Sequence, residues 1–381
     1  MHAHPDGQFP YEAFLLPAVA AASALETACA VTAYVLGLET GNGCTTQPVG
    51  ATQSRLALEL PTVRLHDFTL SESGVPTLLC TPLALHGAAV ADLAVGHSLV
   101  AALRDAGIER LFMADWRSAA PEMRFLGIDD YLADLNVLVD HVGGQVDLVG
   151  LCQGGWLSLV YAARFPAKVR KLVMAGAPVD TRARQSKLSA TAAATPLATF
   201  QSLVTSGHGR VIGREAARLW GTATVDENTI RNTLQTPEPV GSPEFESIEG
   251  VFKTWNSWTI DVPGTYYLEV IEKLYKRNEL AAGSFVALGQ TIDLSRVRLP
   301  IYLLAGSADD VVTPEQLLAL KRLAGTRRED IWHDVAPCNH LALFMGKQTL
   351  DEYWPKIAGW IKQPVAEKSA QRLTPRKQRH R

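Results

Sequence analysis

A glycine-rich turn near the middle of the chain carries the first side chain suited to nucleophilic chemistry. Residues 147–155, DLVGLCQGG, form an apolar run and a G-x-C-x-G turn, and a helical run then continues to Phe165. A strand-to-helix turn of this kind exposes its central side chain at a strained corner, and the flanking glycines permit close backbone approach. A helix N-terminus also favours a thiolate over a thiol. The turn therefore predicts Cys152 as a nucleophile that attacks a carbonyl carbon.

Two other interpretations of this turn exist. A cysteine between a buried strand and a glycine-rich turn can simply fill space in a strand–helix crossover. Such turns also bind phosphate groups, but the spacing is not G-x-G-x-x-G and no Lys-Ser or Lys-Thr pair follows. We favour the nucleophile because residues of the types needed for an acid and a base follow it along the chain.

A pair of acidic residues follows the last clear apolar run, which spans residues 300–305. A carboxylate just beyond the C-terminal end of a strand lies where catalytic groups gather in α/β sheets. We therefore predict that Asp309 orients the catalytic base. Asp310 is the alternative, and the pair is also compatible with a helix cap and a solvated neighbour ahead of Pro314.

The candidate base lies in residues 332–344, WHDVAPCNHLALF, on a short loop before an apolar helix start. His340 can take a proton from the thiol and later give it to a leaving group or draw one from an acceptor. The order Cys152, Asp309, His340 matches the nucleophile, acid and base order of α/β-hydrolase folds. These three residues are the predicted catalytic triad.

Two further histidines compete with His340 for the role of base. His333 is predicted to lie on or near the preceding strand, whereas His86 falls in the loop after an early strand. Backbone donors to an oxyanion are usually found in that loop and directly after the nucleophile. We predict that Gln153, His86 and Gly87 form the oxyanion site.

Short apolar runs alternate with amphipathic helical stretches on both sides of these residues. The runs span residues 76–85, 110–114, 146–151, 169–175 and 300–305, and helical stretches span 96–106, 128–142 and 155–165. This alternation predicts an α/β protein with a mostly parallel sheet and helices on both faces. Together with the order Cys152, Asp309, His340, this architecture predicts an α/β-hydrolase fold with a helical cap insertion.

The chain is predicted to divide into four regions. Residues 1–52 form an N-terminal helical region and a linker rich in Gly, Thr and Pro, and residues 53–178 and 295–362 form the core. Residues 179–294 form a cap insertion with helical segments and many aromatic residues, which we expect to cover the triad and line an apolar pocket. Residues 363–381 form a polar, basic tail that is predicted to be disordered.

The composition restricts the classes of function. A net charge of −3 and a 47% hydrophobic content are typical of a globular protein, and they give no reason to expect a nucleic-acid partner. Five scattered cysteines without metal-ligand spacing suit a reducing cytosol, and we expect neither a metal nor a cofactor. The N-terminus has no secretory signal pattern, so a cytoplasmic location is predicted. Residues 14–38 are apolar enough to raise a membrane span as the alternative to a buried or surface helix.

Several motifs in the right order resemble the polyhydroxyalkanoate synthases, particularly the cysteine-dependent type whose box reads G-x-C-Q-G-G. The resemblance covers roughly residues 76–360, and it is carried by residues 98–100, 115–117, 127–131, 150–155, 178–180, 306–309 and 339–340. It implies that Cys152 carries a growing 3-hydroxyacyl chain as a thioester, that His340 activates the incoming hydroxyl or thiol, and that Asp309 supports His340. It also implies a 3-hydroxyacyl-CoA or polyester substrate, a polyester granule surface, and a homodimer or partner subunit.

Three positions depart from the synthase pattern. Asp310 stands where synthases usually carry His, and Leu341 follows His340 where Ile is common. In the loop after the early strand, where synthases carry an Asn next to a basic residue, this chain has His86-Gly87. Residues 177–182, 266–269 and 340–346 are instead similar to the intracellular polyhydroxyalkanoate depolymerases, which hand the acyl group to water. The sequence therefore leaves three hypotheses: synthase-like transfer, hydrolysis of an ester or thioester, and a non-catalytic granule-associated binding protein.

Overall fold

The computed structural model describes residues 48–221 and 225–365. The predicted N-terminal helical region, Cys29, Cys44 and most of the basic tail lie outside these residues. Within the described ranges, no helix has the length and apolar character required to cross a membrane.

Eight strands form one sheet in the order β1-β2-β4-β3-β5-β6-β7-β8. β2 is antiparallel to both of its neighbours, and the other adjacent strands are parallel. The predicted mostly parallel sheet is therefore confirmed. The strands are β1 Arg55–Glu59, β2 Val63–Asp67, β3 Thr77–Cys80, β4 Leu111–Trp116, β5 Val146–Leu151, β6 Val169–Ala175, β7 Ile301–Gly306 and β8 Ile331–Ala336.

Central strands of the sheet are buried along almost their whole length. β5 and β7 are buried at every position, as expected for strands of a parallel sheet that is covered on both faces. Asp147 is the charged exception in β5, and the Arg170 Nε on the neighbouring strand donates to its Oδ1 at 2.8 Å. This ion pair lets an acidic residue occupy a buried strand position.

Helices cover both faces of this sheet. Those before the insertion are α1 Leu99–Asp105, α2 Ile128–His141 and α3 Gln153–Arg164, and those after it are α11 Pro314–Leu318, α12 Leu320–Leu323, α13 Ala342–Met345 and α14 Lys347–Lys362. Single turns of 3₁₀ helix lie at Ala88–Ala91, Pro121–Phe125, Leu294–Arg296 and Arg328–Asp330, and a two-stranded ribbon pairs Asp92–Ala94 with His97–Ser98.

Between β6 and β7 the described chain is mainly helical, and none of its strands joins the main sheet. Its helices are α4 Lys187–Ala194, α5 Leu197–Ser206, α6 Gly213–Leu219, α7 Glu227–Leu234, α8 Pro243–Ser257, α9 Gly264–Val270, the π-helical segment Ile271–Lys276 and α10 Glu279–Ala282. Two short ribbons pair Arg210–Val211 with Val262–Pro263 and Val286–Ala287 with Gln290–Thr291. We call residues 179–294 the insertion.

A buried lysine fixes the C-terminal helix to the sheet. The Lys171 Nζ on β6 donates to the carbonyl oxygens of Trp360 at 2.5 Å, Ile361 at 3.1 Å and Gln363 at 2.7 Å. Its ammonium also lies 4.7 Å from the centre of the Trp360 ring. Lys171 is only 3% exposed, so water does not replace these contacts. The Trp360 carbonyl also accepts from the Gln363 N–H at 3.2 Å and the Ile361 carbonyl from the Arg170 Nη2 at 3.0 Å. Lys171 therefore adds a buried donor at the end of α14, where the carbonyl groups lack the N–H groups of a continuing helix.

We expect Lys171→Met to lower the free energy of unfolding by about 2–4 kcal/mol, because it removes three hydrogen bonds that a buried ammonium group donates. Lys356→Met is the matched control on the same helix, since its ion pair with Asp334 is exposed and should contribute less than about 1 kcal/mol. Urea denaturation measures both values. Equal losses for the two variants would contradict a capping role for Lys171.

Candidate active site

Cys152 lies at the corner between β5 and α3 in a backbone conformation that is rare for a residue with a side chain. Its φ is +50° and its ψ is −117°. The Cys152 N–H donates to the Ala175 carbonyl at 2.9 Å, and its own carbonyl accepts from the Gly155 N–H at 2.9 Å. The surrounding backbone thus holds a strained turn in place, as in nucleophile elbows.

The two glycines after Cys152 are required by close backbone approach. A Cβ atom at Gly154 would lie 2.1 Å from the Cys80 carbonyl oxygen, and one at Gly155 would lie 2.3 Å from the Ala177 Cβ. Any larger residue would push α3 away from the ends of β3 and β6. The N-terminus of α3 therefore stays directly behind Cys152, where its N–H groups can stabilise negative charge.

Asp309 and His340 form a buried hydrogen-bonded pair. The His340 Nδ1 donates to the Asp309 Oδ2 at 2.7 Å, and the His340 and Asp309 side chains are 9% and 0% exposed. The other carboxylate oxygen, Oδ1, accepts from the backbone N–H groups of Val311 at 2.9 Å and Val312 at 2.8 Å. The carboxylate is thus fixed in orientation, and it sets the proton of the imidazole on Nδ1.

Charge around His340 favours its protonated form. Burial on its own lowers the pKa of His340, but the Asp309 carboxylate and the Cys152 side chain together raise it well above its ordinary value. The Cys152 side chain therefore lies close enough to the imidazole to influence its protonation. An arrangement of this type can hold a thiolate beside an imidazolium and move a proton between sulfur and nitrogen.

The two competing groups point elsewhere. Asp310 is exposed and forms an ion pair with the Lys187 Nζ at 2.8 Å. His333 lies on β8 as predicted, and its exposed Nε2 is 3.4 Å from the Lys321 Nζ. Of the two acidic residues, only Asp309 contacts His340.

His86 and Gly87 lie in the loop after β3 and contact the insertion. The His86 Nδ1 donates to the Trp258 carbonyl at 3.0 Å, and its ring centre is 4.6 Å from that of Trp255. Burial lowers the pKa of His86, which leaves its imidazole neutral. Gly87 has a φ of +56° and lies against the Trp258 ring. The His86 side chain therefore holds this loop against the insertion. Any contact between this loop and an oxyanion would come from backbone N–H groups.

Gln153 connects the turn to the insertion through its side chain. Its Nε2 donates to the Tyr275 hydroxyl at 3.3 Å, and its Oε1 accepts a hydrogen bond from the Trp156 indole. Tyr266 also stacks against Trp156, with ring centres 6.5 Å apart. Aromatic residues of the insertion thus lie around the turn that carries Cys152, while the oxyanion role of the Gln153 N–H remains a prediction.

Sequence reasoning missed three residues that position this site. A Cβ atom on Gly176, which has a φ of +53°, would lie 3.0 Å from the His340 Cε1. The Asn339 Nδ2 donates to the Thr233 Oγ1 at 2.9 Å, and this contact joins the loop of the base to α7. A glycine directly after the β6 run was the signal for the first contact, whereas nothing in the sequence pointed to Thr233 or to Tyr275.

Across residues 48–221 and 225–365, no group of three or more His, Cys, Asp and Glu side chains is arranged to hold a metal ion.

Residues 97–347 match a family model described as alpha/beta hydrolase fold. Among curated proteins, a poly(3-hydroxyalkanoate) polymerase subunit PhaC from Haloferax mediterranei is 25% identical over 82% of this chain and 64% of its own length. A protein of the same name from Synechocystis is 27% identical over 71% of this chain and 73% of its own length. The chain thus spans under two thirds of the length of the first relative. The resemblance to the synthases that the sequence motifs predicted is confirmed by these relatives.

Solved structures of low identity share the fold. A monoacylglycerol lipase from Paleococcus ferrophilus has a TM-score of 0.51 and 15% identity, covering 78% of this chain and 98% of its own. An epoxide hydrolase variant from Bacillus megaterium has a TM-score of 0.52 and 16% identity, covering 81% of this chain and 99% of its own. At this identity the likeness concerns the arrangement of the backbone and not the reaction.

Proposed function

The chain belongs to the alpha/beta hydrolase fold family, and we propose that it transfers 3-hydroxyacyl groups from a thioester donor through an acyl-thioester on Cys152. The observation that carries the proposal is the buried Asp309–His340 pair beside a cysteine at a strained strand-to-helix corner. The relatives supply the substrate class, since they are named poly(3-hydroxyalkanoate) polymerase subunits.

In the first half-reaction the Cys152 sulfur attacks the carbonyl carbon of the donor thioester. His340 takes the thiol proton, and the developing oxyanion is stabilised by backbone N–H groups of Gln153 and of the loop at His86 and Gly87. The tetrahedral intermediate then expels the donor thiolate, which receives the proton from His340. The acyl group is left on Cys152 as a new thioester.

In the second half-reaction His340 removes a proton from an acceptor hydroxyl, and that oxygen attacks the acyl carbon on Cys152. The bond to sulfur breaks and the proton returns to the Cys152 sulfur. Asp309 keeps the imidazole proton on Nδ1 and stabilises the imidazolium in both halves. With the hydroxyl of another 3-hydroxyacyl unit as acceptor, each cycle lengthens a polyester by one ester bond.

Hydrolysis is the second candidate, because the same groups release a free acid when water is the acceptor. The segments at 177–182, 266–269 and 340–346 favour it, since they are similar to intracellular depolymerases. In either case we propose a polyester granule surface in the cytoplasm as the place of action. The word subunit in the relatives' names makes a partner subunit or a second copy the proposed binding partner.

The test is to incubate the purified protein separately with 3-hydroxybutyryl-CoA and with amorphous polyester granules, following released CoA and soluble hydroxyacid. We expect CoA release with formation of insoluble polymer. Soluble acid from either substrate would replace the transfer proposal by hydrolysis. No turnover of either substrate, in the presence of a fully folded protein, would overturn both and favour a binding role.

A further inference from the structure

A cleft of about 490 Å³ lies between the chain that follows β6 and the π-helical segment Ile271–Lys276. π-Helical turns are rare and are frequent at functional sites. The lining residues are Thr181, Arg182, Gln185, Ser189, Ala193, Tyr275 and Lys276.

Two cations line this cleft without pairing to a carboxylate in the described part of the chain. The Lys276 Nζ contacts the carbonyl oxygens of Ala192 at 3.1 Å and Thr195 at 2.7 Å. The Arg182 Nη2 donates to the Lys276 carbonyl at 2.6 Å. Each group keeps further N–H donors. The cleft therefore presents two positive charges whose hydrogen-bond partners are uncharged carbonyl groups.

Acidic residues close to the cleft are already occupied by other cations. Asp180 pairs with Arg322, Asp310 with Lys187 and Glu315 with Arg184, and Glu272 pairs with Arg277. None of these carboxylates is therefore available to neutralise Arg182 or Lys276. The positive charge in the cleft favours an anionic ligand.

One wall of the cleft is held rigidly. The buried Gln316 Nε2 donates to the Arg184 carbonyl at 2.7 Å and to the Ser189 Oγ at 3.2 Å. The Thr181 N–H donates to the Asn278 Oδ1 at 3.0 Å. These contacts fix the backbone on both sides of Arg182 before any ligand arrives, which lowers the entropic cost of binding.

Tyr275 joins the cleft to the candidate active site. Its ring lines the cleft, while its hydroxyl contacts the Gln153 side chain, one residue after Cys152. Tyr275 therefore contacts both the cleft and the side chain of the residue that follows Cys152.

We propose that this cleft binds the phosphate groups of the thiol carrier of the acyl donor, with Arg182 and Lys276 as the recognising cations. This inference rests on the proposed function, because it assigns the polar end of the thioester substrate. Phosphate oxygens are recognised by Arg through paired N–H donors and by Lys as a point charge. In this proposal the thioester end of the same molecule would extend from the cleft towards Cys152.

The test compares Arg182→Gln with Arg184→Gln, a neighbouring cation that is paired with Glu315 and does not line the cleft. For Arg182→Gln we expect the KM for 3-hydroxybutyryl-CoA to rise about 10-fold, since a charged hydrogen bond at a partly exposed site is lost. The KM for the N-acetylcysteamine thioester, which has no phosphate, should not change, and Arg184→Gln should leave both values unaltered. Lys276→Gln should act in the same direction, provided circular dichroism shows that it folds.

Calorimetry with CoA alone separates this inference from the proposed function. We expect the native protein to bind CoA and the Arg182→Gln variant to bind it about 10-fold more weakly. This result would support the cleft assignment even if no acyl transfer is observed. Unchanged CoA binding in that variant would overturn the assignment while leaving acyl transfer intact. Inorganic phosphate that binds as tightly as CoA would also overturn it, by assigning the cleft to the free anion.

Discussion

Replacing Cys152 by alanine is expected to lower acyl transfer by at least about 10³-fold, because in the proposed mechanism the thiol forms the covalent bond to the acyl group. The fold should persist, since the Cys152 side chain is only half-buried and an alanine adds no bulk at the φ of +50° that the turn already imposes. Steady-state turnover of 3-hydroxybutyryl-CoA measures the loss, and circular dichroism measures the fold. Cys152→Ser should also be much weaker than the native protein, because a hydroxyl is far harder to deprotonate than a thiol.

Cys338→Ala is the matched control for loss of a thiol. Burial raises the pKa of Cys338 to about 11, so its sulfur stays protonated and is not a nucleophile at neutral pH. We expect this variant to keep most of its turnover after a modest loss of stability. Turnover near the native rate in Cys152→Ala would exclude Cys152 as the nucleophile.

Asp309→Asn is expected to lower turnover by about 10⁴-fold, by analogy with the same change in a serine triad. An asparagine can keep the shape of the contact with His340, but its amide does not fix the imidazole proton on Nδ1 and carries no charge. Burial lowers the pKa of His340, whereas the negative charge of the Asp309 carboxylate raises it. Removing the carboxylate charge should therefore lower the pKa of His340. Neutral His340 would then no longer stabilise a thiolate at Cys152.

Asp310→Asn is the control for this prediction, and it should have little effect, because Asp310 pairs with Lys187 in an exposed position. Beside turnover, the rate of Cys152 alkylation by iodoacetamide at neutral pH should be measured. In Asp309→Asn we expect alkylation to be slower than in the native protein, whereas Asp310→Asn should react at the native rate. Reversed behaviour of the two variants would make Asp310 the triad acid.

The buried centre of the sheet was the part of the fold that the sequence predicted best. The bounds predicted for β5 and β6, 146–151 and 169–175, agree with the structure because strands buried on both faces are continuous apolar runs. The run predicted at 76–85 is too long, since the strand ends at Cys80 and the chain then leaves the sheet ahead of Pro82. β1 and β2 were not predicted, because exposed and alternating strands at the edge give a weaker pattern.

The candidate site divides in a similar way. The spacing of Asp309 from Gly306 and the order of the three residues predicted the contact between Asp309 and His340, which the structure contains. Contacts from the insertion, such as Tyr275 to Gln153, could not be predicted. They join residues far apart in sequence, and no periodicity or turn motif encodes such a pairing.

The hydrogen bonds from the α7 region to the segments on both sides of His340 bear on the lifetime of the acyl-thioester that we propose on Cys152. Asn339 contacts Thr233, and the Gln235 Oε1 accepts from the Thr349 N–H at 2.9 Å, so this part of the insertion is tied on both sides of the base. Segments joined in this way open as one cooperative unit. We therefore expect a fluctuation that lifts α7 and admits bulk water to displace His340 as well, which in the proposed mechanism is the group that activates water. Under that proposal the open state would not hydrolyse an acyl group on Cys152.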